Sequence, residues 1–192
     1  MKLYYTNSSP YARKVRAHVR YLGCSEIDEI FAHPFQQENL IRDYNPLGKI
    51  PVLQLDDQYL MDSETIIAFL NTKYSNSYDF SLLELRCLAM CQGLMDAAVN
   101  LRVETVRKLE SDWWTRRLKM SIESSLIALN SECSADLLHS TNSHLPIALV
   151  CAFDYLEFRH QEWASELLNC ELRKVLSGWT LKPYLTEIPF TD

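Results

Sequence analysis

The chain has 192 residues, 47% of them apolar and 23% charged, with only 4 glycines and 7 prolines. That is enough material for one large domain or two small ones around a real core, and it excludes collagen-like and loop-dominated chains. A net charge of -6 argues against a nucleic-acid partner, which requires a basic face, yet allows a small anion held at one local site.

The N-terminus, Met1-Lys2-Leu3-Tyr4-Tyr5, lacks the apolar core of a signal peptide, and no apolar run approaches the length of a membrane span. The expectation is a cytoplasmic protein with no membrane partner. The 6 cysteines form no C-x-x-C pair. Cys87 and Cys91 share a helix face but have no histidine near in sequence, so no metal site is expected. Reduced, buried thiols fit that compartment.

In chain order, Leu3 to Thr6 reads as a strand and Tyr11 to Leu22 as a helix, with Val15, Val19 and Leu22 at helical spacing and Gly23 as the stop. Between them Ser9 is a good N-cap and Pro10 suits the first helical position. The helix start is therefore a hydroxyl at a positive helix end, which taken alone is mostly an ordinary cap and is also a place that can hold an anion. Ile27 to Ala32 reads as a second strand, and Phe35 to Tyr44 as a short helix or connector. Asn45-Pro46-Leu47-Gly48-Lys49 is a turn-rich loop leading into Ile50-Pro51-Val52-Leu53-Gln54-Leu55. Asp56-Asp57 turns the chain back through Gln58 to Met61, which is a hairpin pattern. Pro51 cannot donate to a ladder, so it belongs at a strand start or edge. Asp62-Ser63-Glu64-Thr65 opens a further helix, capped by Asp62 or Ser63.

Ser75 to Asp79 is polar and without period, the pattern of a linker. Beyond it lie helices expected over Leu82 to Glu110, Asp112 to Leu129, Leu145 to Arg159 and, as one or two pieces, Glu162 to Trp179. The Leu145 to Arg159 helix is apolar almost all round and is expected to be the most buried. Asn130 to Ser143 reads as a loop, and Pro183 to Asp192 as an irregular packed tail. Arg13, Lys14, Arg16 and Arg20 read as a solvated face, and Trp113 and Trp114 as helix packing. The five histidines make no ligand set or triad.

The order is βαβ followed by ββα, then an all-helical part, and with its motifs it resembles the glutathione S-transferases. Ser8-Ser9-Pro10-Tyr11-Ala12-Arg13-Lys14-Val15-Arg16 is similar to the first loop and helix of serine-type and cysteine-type members. Asn45 to Leu53 matches the family's N-P-x-G-K-[VI]-P-x-L segment, and Asp62 to Ile67 its [ED]-S-x-x-I helix start. Gly93 to Val99 and Asp154 to Arg159 resemble helical segments of bacterial members close to the YibF-like group.

The resemblance implies an α/β thioredoxin-like glutathione-binding domain over residues 1–75 and an all-α domain over 80–192 that shapes an acceptor pocket. It also implies a homodimer, with glutathione as co-substrate. Ser9 falls where the family has its catalytic hydroxyl or thiol and would stabilise the glutathione thiolate. Ile50, before an expected cis Pro51, would pair with the cysteinyl part. Asp62 and Ser63 would hold the γ-glutamyl end; Lys49 either holds the glycyl carboxylate or is a solvated turn lysine. Tyr11 either lines the acceptor pocket or covers the first helix. The activity implied is addition of the thiolate to a small electrophile, as in detoxification. The alternatives are a glutathione-dependent isomerase or peroxidase, or a non-catalytic regulator on the same scaffold. One departure is Pro146, which stands where bacterial relatives place an aspartate in an [ST]-x-x-D capping box, so the reciprocal bond of that box is lost.

Overall fold

The structure, a computed structural model, describes residues 1–33, 35–74, 79–108, 112–140, 144–163, 171–180 and 182–192. Most of the expected linker, the residue before the Pro146 helix and part of the last expected helix lie outside them. Two compact units emerge: Met1–Asp79 together with Pro183–Asp192, and Phe80–Lys182.

The first unit runs β1 (Lys2–Tyr5), α1 (Pro10–Tyr21), β2 (Asp28–Phe31), α2 (Glu38–Tyr44), β3 (Val52–Leu55), β4 (Gln58–Met61) and α3 (Ser63–Tyr74). The sheet order is β2-β1-β3-β4; β1 and β2 are parallel, and the other two pairings are antiparallel. Alternation along the strands divides the core between two faces. Leu3 and Leu53 face α1 and α3, packing with Val15, Val19, Ile66, Ile67 and Leu70. Tyr4 and Val52 face the other way, toward Ala32 and Ile41, with Tyr44 stacked on Tyr59 at 4.8 Å. Gly23 ends α1 at φ +68°, a conformation that favours glycine.

The second unit runs α4 (Leu82–Arg107), α5 (Asp112–Glu132), α6 (Ala135–Ser140), α7 (His144–Arg159), a 3-10 turn (Gln161–Trp163) and α8 (Glu171–Thr180). Ser81 and Glu84 form a reciprocal capping box at the start of α4. Every residue of α7 from His144 to Phe153 is buried. Pro146 is in its first turn, where a missing amide breaks no helical bond. The expected loop of 130–143 contains α6, capped by the Ser134 hydroxyl, which accepts from the Leu137 amide at 3.2 Å. Trp113 is 65% exposed and meets Trp114 edge-on at 5.6 Å, so packing into the core does not account for it.

The C-terminal segment differs from the expected boundary. Residues 183–192, read from sequence as part of the helical domain, pack on the first unit and open with a short helix, α9 (Pro183–Thr186). Leu185 and Ile188 are buried, Arg13 donates to their carbonyls at 3.4 and 2.9 Å, and the Arg13 guanidinium lies 4.6 Å over the Phe190 ring. A buried guanidinium needs acceptors, and the tail carbonyls supply them.

Candidate functional site

The strand register brings the candidate residues to one end of the sheet. Tyr4 stands beside Val52, and Val52 beside Met61. The C-terminal end of β1, the N-terminal end of β3 and the C-terminal end of β4 therefore coincide. The first runs into Thr6 to Ser9, the second is entered through Lys49-Ile50-Pro51, and the third runs into Asp62-Ser63. Ser9, Ile50, Pro51, Asp62 and Ser63, scattered over more than fifty positions, are thus gathered along one edge.

Ser9 is the N-cap of α1, its Oγ accepting from the Ala12 amide at 3.2 Å. That bond uses a lone pair and leaves the hydroxyl hydrogen available to donate. The Ile50–Pro51 bond is cis, as the resemblance implied. Asn45, which the sequence reading did not single out, holds this loop. It is buried, its Nδ2 donates to the Lys49 carbonyl at 2.7 Å, and its Oδ1 accepts from the Leu47 amide at 3.0 Å. An asparagine opening an N-P-x-G turn is the signal that could have found it, since Asx side chains bond backbone two residues on. Gly48 in the same turn has φ +63°, and a Cβ there would stand 3.1 Å from the Arg42 guanidinium carbon. Lys49 is exposed.

Asp62, rather than Ser63, caps α3. Its Oδ1 accepts from the Glu64 and Thr65 amides at 3.0 and 3.1 Å, and its carbonyl takes the first helical bond from Ile66. Its φ of +73° is uncommon for a residue with a side chain. Ser63 is 2% exposed, and its Oγ has no hydrogen-bond partner among the described residues. A buried hydroxyl left this way costs on the order of 1–3 kcal/mol and calls for an explanation. Tyr11 is half-buried, the second residue of α1, and nothing in the described geometry assigns it to a pocket. Tyr4 is not a rival donor. Its hydroxyl donates to Gln54 at 2.9 Å, and burial, then the bond with Tyr44, pushes its pKa up to about 12.

The expected solvated face of α1 is a correction. Arg13, Lys14 and Arg16 are buried, and Lys14 is 0% exposed. Each has partners that the linear sequence hides. Lys14 is ion-paired with Glu64 in the first turn of α3. Arg16 donates from Nη1 to Asn7 Oδ1 at 3.1 Å and from Nε to Glu29 Oε2 at 2.9 Å. Arg20 also pairs with Glu29. Burial raises the Glu29 pKa, but the guanidiniums of Arg20 and Arg16 outweigh it and leave the carboxyl below its ordinary range.

On the helical unit a hollow of about 520 Å³ lies between α4 and α5, with Leu101, Thr105, Thr115, Arg116, Lys119 and Met120 among its walls. Among the described residues no group of three or more His, Cys, Asp or Glu could hold a metal ion, and no helix is long and apolar enough to cross a membrane.

Residues 3–78 match the family model of the glutathione S-transferase N-terminal domain. Over 98% of its length the chain is 27% identical to the uncharacterised GST-like protein YibF of Escherichia coli K12, covering 91% of that protein. A crystal structure of a glutathione transferase family member from Pseudomonas fluorescens Pf-5, with bound glutathione, superposes with a TM-score of 0.86 at 26% identity, covering 100% of this chain and 99% of that one. A glutathione S-transferase from Methylobacillus flagellatus KT, also with glutathione bound, gives 0.86 at 27% identity over 99% of both chains. A four-stranded thioredoxin-like sheet, a helical second unit and these likenesses together show the glutathione S-transferase architecture, with residues 3–78 matching that family's N-terminal domain.

Proposed function

We propose that the chain binds glutathione along the sheet edge, stabilises its thiolate through Ser9 and adds it to a small electrophile. The observation that carries this reading is Ser63: a buried hydroxyl with no partner among the described residues, at the N-terminus of α3 and at the same end of the sheet as Ile50, Pro51 and Ser9. A carboxylate satisfies the hydroxyl and meets the positive end of α3, which suits the γ-glutamyl end of glutathione. Asp62 Oδ1 is engaged by the α3 amides, so its other oxygen is the one to meet the ammonium. The Ile50 backbone pairs with the cysteinyl residue, and Lys49 takes the glycyl carboxylate.

With the peptide so laid, its thiol lies at Ser9. A free thiol titrates near pH ~8.5, and lowering that by about two units takes roughly 2.7 kcal/mol of preference for the thiolate. The Ser9 hydroxyl donating to sulfur, together with the positive end of α1, is of that order. Ser9 then forms no covalent bond; the sulfur attacks the electrophile and the leaving group departs or the added pair is protonated. The reading gives residues 1–75 the glutathione site and the helical part the acceptor pocket. Exposed Leu82 and Leu85 on α4 support a homodimer as the working assembly.

Glutathione titration of wild type, Ser9→Ala and Ser8→Ala tests this, with thiolate followed by ultraviolet absorbance. The expected result is binding by all three and loss of the thiolate band in Ser9→Ala alone. No binding by wild type at millimolar glutathione would overturn the reading in favour of a non-catalytic scaffold. Loss in Ser8→Ala with retention in Ser9→Ala would move the role to Ser8.

A further inference from the structure

Two of the buried cations of α1 lead from the helix that begins at Ser9 to the two walls of the site. Lys14 lies five residues after Ser9 with its side chain 0% exposed, ion-paired to Glu64. Glu64 directly follows Ser63, and its amide is held by Asp62 at 3.0 Å. The Lys14 ammonium is fully buried while the Glu64 carboxylate is 36% exposed, so losing the contact leaves the buried charge without this partner and the pair pins the start of α3 against α1. Arg16 reaches the opposite wall. Its guanidinium lies 3.8 Å over the Tyr5 ring at the end of β1 and donates to Asn7 two residues before Ser9. Its remaining donors meet Glu29 on β2 at 2.9 Å. The planar fork therefore grips both sides of the turn at Thr6, the turn that delivers Ser9.

We propose that Lys14 and Arg16 are positioning residues of the glutathione site: Lys14, through Glu64, sets the Asp62-Ser63 wall, and Arg16, through Asn7 and Tyr5, sets the Ser9 loop. The proposal rests on the functional reading above. It follows that one helix divides two tasks. The Ser63 wall sets how tightly the peptide is held, and the Ser9 loop sets how well the sulfur is ionised.

The experiment measures glutathione affinity by calorimetry and the thiolate fraction of bound glutathione by ultraviolet absorbance at neutral pH. The variants are Lys14→Met/Glu64→Met, Arg16→Lys and Asn7→Ala. The double variant replaces the ion pair by apolar groups, which avoids a lone buried charge and keeps the fold. Arg16→Lys retains the charge and loses the fork, and Asn7→Ala cuts the same contact without touching α1. The double variant is expected to bind glutathione about tenfold more weakly with its thiolate fraction unchanged. Arg16→Lys and Asn7→Ala are expected to keep affinity within about twofold while thiolate falls about tenfold. If wild type binds and both readouts stay at wild-type values in all three variants, the cations are structural only and the proposal is overturned. If affinity and ionisation fall together in every variant, the division of tasks is wrong. Absence of glutathione binding by wild type itself would instead sink the functional reading on which the proposal stands.

Discussion

Helices α1 and α7 are both largely buried, and by opposite means. In α7 the buried surface is Leu145, Ile147, Leu149, Val150, Phe153 and their neighbours. In α1 it is Ala12, Val15 and Val19 interleaved with Arg13, Lys14, Arg16 and His18. Apolar burial is non-directional, so α7 stabilises its unit without specifying much beyond volume and shape. A buried cation has to be answered by an acceptor in one place. Lys14 is answered by Glu64, Arg16 by Asn7 and Glu29, Arg13 by the carbonyls of Leu185 and Ile188. The contrast teaches that α1 spends part of its stability on geometry, at the edge where the candidate site lies.

The largest effect that could break this contrast is expected at Phe153. Phe153→Ala leaves a cavity in a fully buried position and should cost about 3–5 kcal/mol. Denaturant unfolding measures it; a cost near zero would mean that α7 is not the packed core of its unit. Next comes the α1 side. Glu64→Ala strips a carboxylate from a fully buried ammonium and should cost about 3 kcal/mol, most of it recovered when Lys14→Met is added. A double-mutant cycle reads the coupling, and additive losses would show that the pair does not tie α1 to α3. Ser9→Ala is expected to be smaller for stability, about 1 kcal/mol for a lost cap, although the proposed role predicts a large loss of thiolate. A thermal melt checks the first of these; an unchanged melting temperature would show that the cap bond is dispensable.

The two units should also separate by pH. Glu29 has a depressed folded pKa, so its contribution is present above the ordinary carboxylate value and lost as pH falls through the folded one. His160 is depressed too, chiefly by burial, although its bond to the Ala98 carbonyl at 2.8 Å works the other way. For a histidine the neutral form is the stabilised one. Its contribution is complete above the ordinary histidine value of about 6.5 and drains away as pH falls from there through the folded pKa. Acidification should therefore loosen the helical unit before the first. Hydrogen exchange followed against pH checks the order, with Glu29→Gln removing the later loss and His160→Asn the earlier one. Simultaneous loosening that neither variant changes would remove this distinction.

Much of the fold was legible because its signals are local. The period of the apolar residues, the Ser9-Pro10 helix start, Gly23 as a stop and the hairpin after Asn45-Pro46-Leu47-Gly48 each depend on residues a few positions apart. The α6 helix was missed because a short helix carries too little period to stand out from a loop. The candidate site was legible as residue types, since a hydroxyl, a proline and an acidic-serine pair each announce a turn or a cap.

By itself the sequence determined the order of elements, the helix starts and the residue types available at one sheet edge. Only the tertiary structure decided which cations are buried, that the C-terminal segment joins the first unit, that Asn45 staples the cis-proline loop and that the Ser63 hydroxyl has no partner among the described residues. The reason is distance along the chain. Lys14 and Glu64 are 50 residues apart, and Arg13 and Ile188 are 175 apart. A cation on a helix face looks solvated until folding brings its acceptor to it, and no local pattern records that meeting.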